Sequence, residues 1–126
     1  MSTPKEVLIL EDSPMMCSLY RMVLRRSVLH FAADGVEGLD RAAQHPTVEL
    51  FIVDVNLPRM DGIEFIRKLR GELGVTVPPV VVVSTECSDH DRHIAYDAGA
   101  DAYLCKPWQP EELLDTLNRL ERRSPR

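Results

Sequence analysis

The sequence predicts an α/β protein, built as a doubly wound, five-stranded parallel sheet with five helices distributed over both faces. Short, wholly apolar runs alternate with segments in which apolar residues recur every three or four positions. The clearest apolar run is Val80-Val81-Val82-Val83, in which every residue is β-branched. Strands that are buried on both faces have this continuous apolar character, and short turns between the segments favour helices as the crossovers of a parallel sheet.

The predicted elements alternate along the whole chain. Strands are expected at residues 7–10, 28–33, 48–53, 80–83 and 102–105. Helices are expected to begin at Pro14, Val36, Ile63, Asp89 and Pro110, with the third ending near Gly71 or Gly74 and the fourth at Ala98. Pro14 and Pro110 suit a first helical position, where the N–H that proline lacks is not needed. The junction "RRSVLH" after the first helix contains no Gly to end it, so this boundary is the least defined.

The composition is that of a globular domain. At 126 residues the chain fits one domain, 1–126, in which 119–126 form the end of the fifth helix and a tail or the start of a linker. No apolar run approaches the ~20 residues of a membrane span, and the N-terminus lacks the apolar core of a signal peptide. A cytoplasmic protein is therefore expected. The net charge of −5 argues against nucleic acid as the main partner, and the basic residues Arg119, Arg122, Arg123 and Arg126 are expected at a solvated end.

Three cysteines, Cys17, Cys87 and Cys105, form an odd set without the spacing of metal ligands. We expect all three to be reduced thiols, with no disulfide framework. Cys105 lies in a predicted strand, where a thiol usually behaves as a small apolar side chain.

Polar side chains follow four of the five predicted strands. They are Glu11 and Asp12 after the first strand, Asp54 after the third, Ser84 and Thr85 after the fourth, and Lys106 after the fifth. The carboxyl ends of parallel strands meet at one edge of the sheet, where ligands bind. Singly, each residue is more simply a helix cap or a turn residue. Together, crowded carboxylates repel one another unless a cation lies among them, and carboxylate oxygens suit Mg²⁺.

The sequence resembles the receiver domain of two-component response regulators over essentially its whole length. The resemblance is carried by the pair Glu11-Asp12, by "DVNLPRMDG" at 54–62, by "VVVST" at 81–85 and by "AGADAYLCKP" at 98–107. The resemblance implies the strand order 2-1-3-4-5. In style the sequence is most similar to single-domain, chemotaxis-type receivers.

The resemblance also implies roles for individual residues. Asp54 matches the phospho-acceptor, and Lys106 matches the catalytic amine that pairs with the phosphoryl group. Glu11 and Asp12 match the acids that, with Asp54 and the backbone carbonyl of Asn56, bind Mg²⁺ or alternatively Mn²⁺. The Lys106-Pro107 bond matches one that is usually cis in the family.

Four positions match residues that control switching and lifetime. Ser84 matches the switch hydroxyl that moves to the phosphoryl group, and Tyr103 the aromatic residue that turns inward when it moves. Asn56 and Glu86 match the two positions that tune the lifetime of the phosphoryl group, for which we predict a short-lived state; an ordinary loop role is the alternative. The fourth helix, fifth strand and fifth helix would form the face that reports the state.

The implied function is that of a phosphorylation-activated response regulator, which is not an enzyme beyond its own Mg²⁺-dependent phosphorylation and dephosphorylation. Its partners would be a sensor histidine kinase or histidine phosphotransfer protein and, downstream, a protein target or an effector domain on the same chain. The alternative is a pseudo-receiver that signals by binding alone, although the acceptor, acids and lysine are all present. A flavodoxin-like redox protein is excluded, because "EDSPMM" has no Gly and places acids where a flavin phosphate would bind.

Three weaker signals leave alternatives open. Met15, Met16 and Met22 have the spacing of helix core and rim, although the first two could contact a phosphodonor. Trp108 could pack on its turn or contact a partner. His90 and His93 are spaced as a metal pair but lack a third ligand, so they are expected to be surface residues.

Overall fold

The computed structural model describes residues 4–123, and these form one sheet flanked by helices. The strands are β1 (Glu6–Leu10), β2 (Val28–Ala32), β3 (Leu50–Asp54), β4 (Val80–Ser84) and β5 (Ala102–Cys105). The helices are α1 (Pro14–Val23), α2 (Gly35–Gln44), α3 (Gly62–Gly71), α4 (Asp89–Ala98) and α5 (Pro110–Arg123). The predicted alternation is confirmed, and Arg126, which the sequence places in the basic tail, lies outside the described residues.

The five strands are all parallel and pair in the order β2-β1-β3-β4-β5. The predicted fold class and strand order are therefore confirmed. The register places Asp54 of β3 opposite Val83 of β4, and Ser84 of β4 opposite Cys105 of β5. The carboxyl ends of three adjacent strands consequently carry an acid, a hydroxyl and, one residue further, Lys106.

Alternate residues of the central strands fill two separate apolar cores. Leu8, Leu10, Phe51 and Val53 face α2, α3 and α4, whose buried members include Phe65, Ile66, Leu69 and Ala95. Val7, Ile9, Leu50 and Ile52 face α1 and α5, whose buried members include Tyr20, Leu113, Leu117 and Leu120. Because side chains alternate along a strand, the two-sided burial accounts for the absence of polar residues within β3 and β4 before their last positions.

Side-chain caps fix where four of the helices begin. Ser13, Asp34, Asp61 and Ser88 each accept a hydrogen bond from the backbone N–H three residues later. Helix α1 ends without a Gly. The N–H of Leu24 donates to the carbonyl of Tyr20 at 2.8 Å, and the buried side chain of Leu24 holds the turn in place. No helix within residues 4–123 is both long and apolar enough to span a membrane.

Gly62 lets α3 begin directly beneath the end of β3. A Cβ atom at this position would lie 2.4 Å from the carbonyl oxygen of Asp54 and 2.7 Å from a methyl carbon of Val53. Gly71, at the other end of the same helix, has only open space within 4 Å of its Cβ position beyond its own helix backbone. Close backbone approach therefore requires glycine at position 62 and not at 71.

Replacement of Gly62 by Ala should destabilise the fold by about 1–3 kcal/mol or more, because the methyl group must displace backbone at the end of β3. The matched variant Gly71→Ala should change the free energy of unfolding by no more than about 1 kcal/mol, since Ala favours helix and meets open space. Urea unfolding measures both variants. Equal effects of the two substitutions would contradict this account of Gly62.

Candidate functional site

Three carboxylates converge at the carboxyl edge of the sheet. Glu11 and Asp12 follow β1, and Asp54 ends the neighbouring β3, so that one oxygen from each lies within 4.8 Å of the others. Glu11 and Asp54 are buried, with 4% and 5% of their surface exposed, whereas Asp12 is open to solvent. The three side chains therefore form a pocket with an acidic floor and one exposed acid at its rim.

Lys106 supplies positive charge to this pocket from the end of β5. Its Nζ atom lies 2.9 Å from Oδ2 of Asp54 and 3.9 Å from Oε1 of Glu11. The backbone N–H of Lys106 donates to the carbonyl of Ser84 at 2.8 Å, which holds the residue against β4. The Lys106-Pro107 peptide bond is cis, as the resemblance implied. An amine held between two buried acids offsets part of their mutual repulsion.

Glu11 is the least satisfied group of the pocket. Its Oε2 atom accepts a hydrogen bond from the N–H of Ser13 at 3.1 Å, but its buried Oε1 atom has no hydrogen-bond partner among the described residues. Burial raises the pKa of the Glu11 carboxyl, and the charges of Asp54 and Asp12 act in the same direction. Such an oxygen, beside two further carboxylates, fits a hard divalent cation such as Mg²⁺.

The loop after β3 carries the second contact of Asp54. The N–H of Asn56 donates to Oδ1 of Asp54 at 3.0 Å, which leaves the two carboxylate oxygens with different partners. Further along, Arg59 forms an ion pair with buried Asp34 at 2.7 Å and adopts a left-handed backbone conformation with φ of 62°. This pair ties the loop to the start of α2, and it could not be predicted from the sequence because the two residues share no motif.

Ser84, Glu86 and Tyr103 are joined through the loop after β4. The hydroxyl of Ser84, which is 1% exposed, accepts a hydrogen bond from the N–H of Glu86 at 3.0 Å. The hydroxyl of half-buried Tyr103 donates to the carbonyl of the same Glu86, and the guanidinium of Arg92 lies 5.0 Å from the centre of its ring. Burial raises the pKa of the Tyr103 hydroxyl. One loop residue thus connects the pocket side of β4 to the outer side of β5.

The family model for the response regulator receiver domain matches residues 7–118, which include every residue of the acidic pocket. The chain belongs to the receiver domain family of two-component response regulators. Curated relatives include the response regulator ArlR of Staphylococcus epidermidis, which is 31% identical over 121 residues, covering 94% of this chain and 53% of the relative. ArlR of Staphylococcus aureus is 31% identical over 122 residues, with 95% and 54% covered. This receiver domain thus spans about half the length of the curated relatives it matches.

Solved receiver structures share the fold. The chemotaxis protein CheY4 of Vibrio cholerae superimposes with a TM-score of 0.84 at 32% identity, covering 91% of this chain and 97% of that protein. The Mn²⁺-bound form of the response regulator Rcp1 superimposes with a TM-score of 0.75 at 26% identity, covering 94% and 92%. The resemblance drawn from the sequence motifs is therefore confirmed at the level of family and fold.

The expectation of three reduced thiols is wrong for two of the cysteines. Cys87 and Cys105 form a disulfide in this receiver, and Cys17 remains a free thiol. Ser84 of β4 pairs with Cys105 of β5, so the loop that follows Ser84 passes over the end of β5. This loop carries Cys87, whose Cα atom lies 6.1 Å from that of Cys105. This separation is in the usual range for disulfides. Cys105 is consequently a bonded partner of the loop and not simply a small apolar residue.

The structure confirms some of the interpretations of the weaker sequence signals and contradicts others. Met15 and Met22 are exposed, at 78% and 71%, so the core interpretation is wrong for both, whereas Met16 is half-buried against the core. Trp108 is buried against Tyr20, with ring centres 5.3 Å apart, which confirms the packing alternative and excludes an exposed aromatic. His90 and His93 are both exposed, as expected of surface residues.

Replacement of Glu11 by Gln should stabilise the metal-free protein at neutral pH, because it removes a buried carboxylate whose pKa is raised by burial. A pKa that is higher in the folded state means that ionisation of Glu11 opposes folding. The resulting loss of folding stability is absent at pH values below 4.5, the ordinary pKa of the group, and grows as the pH rises through the folded pKa. Urea unfolding without Mg²⁺ should therefore show a higher free energy of unfolding for Glu11→Gln than for the wild type at neutral pH. This difference should become smaller in acid.

The exposed neighbour provides the control for this experiment. Asp12→Asn should have a much smaller effect on the metal-free protein, because Asp12 is already solvated. A stability loss in Glu11→Gln at neutral pH, or a gain that is independent of pH, would contradict the assignment of Glu11 as a destabilising acid.

Proposed function

We propose that this receiver domain is activated by transfer of a phosphoryl group to Asp54 from the histidine of a sensor kinase or a phosphotransfer protein. The observation that carries the proposal is the contact of Lys106 with Oδ2 of Asp54 at 2.9 Å, inside a pocket shared with two further acids. An acceptor carboxylate needs positive charge at the position where phosphoryl oxygens arrive, and Lys106 offers it.

Glu11, Asp12 and Asp54 would hold a divalent cation, with the backbone carbonyl of Asn56 as a further ligand. Mg²⁺ is the expected ion, and Mn²⁺ is an alternative that the related Rcp1 structure supports. The partnerless Oε1 atom of Glu11 favours such an ion. When bound, the cation neutralises negative charge on the carboxylates and on the incoming phosphoryl oxygens.

The residues of the chain then have separate tasks. A carboxylate oxygen of Asp54 attacks phosphorus, an O–P bond forms, and the P–N bond to the donor histidine breaks with its electron pair leaving on the imidazole. Lys106 exchanges its contact with Asp54 for one with a phosphoryl oxygen and keeps that oxygen oriented. Beyond this self-directed chemistry the domain acts as a signalling module and not as an enzyme.

The loop between Ser84 and Glu86 would convert the new charge into a change of shape. A phosphoryl group adds roughly −1.5 to −2 charges and three acceptor oxygens, which favour a Ser84 hydroxyl that leaves the N–H of Glu86 and donates to the phosphoryl group. Tyr103, whose hydroxyl is bonded to the carbonyl of Glu86, would follow the loop. The state would be reported by α4, β5 and α5, where Arg92, Tyr96, Tyr103 and Arg119 line a groove.

The surroundings of the pocket suggest where partners bind. Exposed Met15 lies at the start of α1, three residues after Asp12 of the acidic pocket, and would contact the phosphodonor. The downstream partner, whether a separate protein or an effector domain, would bind the α4–β5–α5 face. We place the whole protein in the cytoplasm without direct nucleic-acid binding by this domain, and we propose residues 1–126 as one receiver unit, with 119–126 as the end of α5 and a tail or linker.

The proposal is tested by intact mass after incubation with acetyl phosphate, with and without Mg²⁺. The wild-type chain should gain one phosphoryl group only when Mg²⁺ is present. Asp54→Asn should gain none, and Asp40→Asn, which replaces an exposed acid of α2, should behave as the wild type. If the chain is a pseudo-receiver, no mass increase is expected under any condition. A mass increase that persists in Asp54→Asn would show that another residue accepts the phosphoryl group.

The same time course measures the lifetime of the modification. Asn56 and Glu86 are both exposed polar residues on the loops that flank Asp54, where water must approach the phosphoryl group. We propose that they make the phosphoryl state short-lived. Ala variants of either residue should change the decay rate, whereas unchanged decay in both would make them ordinary loop residues.

A further inference from the structure

A second cluster of ligand-type side chains lies on the β1–β2 side of the sheet, away from the acidic pocket. It consists of Glu6 at the start of β1, His30 within β2 and His45 directly after α2. Glu6 and Glu11 are separated by five positions along the chain, or roughly 16 Å at the rise of a strand. The cluster therefore has no contact with the phosphorylation chemistry proposed above.

The three side chains point their ligand atoms at one another. Oε2 of Glu6 lies 2.7 Å from Nε2 of His30 and 3.9 Å from Nδ1 of His45. The two imidazole rings stack with centres 3.8 Å apart and planes inclined by 17°. One carboxylate oxygen thus faces a nitrogen from each ring, and all three ligand atoms lie within 4.8 Å of one another.

We propose that Glu6, His30 and His45 bind a divalent transition-metal ion, with Zn²⁺ as its representative. Two imidazoles and one carboxylate are a recognised three-ligand set for zinc, whereas Mg²⁺ prefers oxygen ligands alone. Zinc bonds of about 2.0–2.1 Å in a tetrahedral arrangement place neighbouring ligand atoms roughly 3.3 Å apart. The observed separations of 2.7 and 3.9 Å from Glu6 lie on either side of that value. Coordination also requires the two imidazole rings to turn out of their stacked arrangement, so that their nitrogen lone pairs converge on the ion.

The surroundings of the cluster favour a metal over a simple ion pair. The hydroxyl of Thr47 donates to Oε1 of Glu6, which orients the other oxygen toward the two histidines. The side chains of Glu6, His30 and His45 are 19%, 17% and 31% exposed, so an ion can enter and keep a water as its fourth ligand. Nδ1 of His45 lies 3.9 Å from the same oxygen of Glu6 that contacts His30, so the cluster offers an ion a third ligand.

The experiment measures binding of Zn²⁺ and Co²⁺ to the full chain in excess Mg²⁺, which fills the acidic pocket proposed above. The visible spectrum of Co²⁺ reports the coordination number and the ligand type. The wild type should bind one ion that gives the intense spectrum of four-coordinate Co²⁺ with nitrogen and oxygen ligands. His30→Gln and His45→Gln should each weaken this binding at least tenfold, and Thr47→Val should weaken it about 10–100-fold. Zn²⁺ should raise the thermal unfolding midpoint of the wild type but not of the histidine variants.

Matched variants separate this site from the others. The double variant His90→Gln/His93→Gln, which removes the exposed histidine pair of α4, should bind as the wild type, as should Glu11→Gln and Cys17→Ser. Binding that is unchanged in both His30→Gln and His45→Gln, or that disappears in Glu11→Gln, would overturn the proposal. If His30→Gln lowers the stability of the metal-free fold, the more exposed His45→Gln carries the test alone.

Discussion

The contact between Lys106 and Asp54 is the interaction on which the carboxyl edge of the sheet depends. Strand order places β1 and β3 side by side, and their ends bring together three acids, of which two are buried. Without a cation such a cluster would oppose folding, because burial and mutual repulsion both disfavour the charged carboxylates. Lys106 offsets part of this cost at 2.9 Å from Asp54, and Oε1 of Glu11 remains without a hydrogen bond among the described residues. Oε1 of Glu11 is thus the atom at which the cation that we propose would add positive charge.

The loop after β4 links this pocket to the surface. Glu86 is bonded through its N–H to Ser84 and through its carbonyl to Tyr103, so a movement of the Ser84 hydroxyl changes the support of Tyr103. The Cys87–Cys105 disulfide crosses the same region. The capping box between Ser88 and Asp91 holds the start of α4 beside this disulfide.

The strand order was implied by the resemblance to receiver domains, whereas periodicity and motif spacing were sufficient to predict the elements and the convergence of Glu11, Asp54 and Lys106. These features follow from local patterns and from the rule that parallel strands end at one edge. The disulfide, the burial of Trp108 against Tyr20 and the Asp34–Arg59 pair depend on how loops pack, which no local pattern encodes. Likewise, the Glu6–His30–His45 cluster draws single residues from three elements without a spacing motif.

The central claim is that Lys106 and a divalent cation share the neutralisation of Asp54. A double-mutant cycle with Lys106→Met and Asp54→Asn, measured by urea unfolding with and without Mg²⁺, tests it most directly. The account predicts a coupling of about 1–3 kcal/mol in the absence of Mg²⁺, which decreases when Mg²⁺ is added because the ion replaces part of the role of the amine. A coupling below roughly 0.5 kcal/mol, or one that Mg²⁺ leaves unchanged, would contradict it.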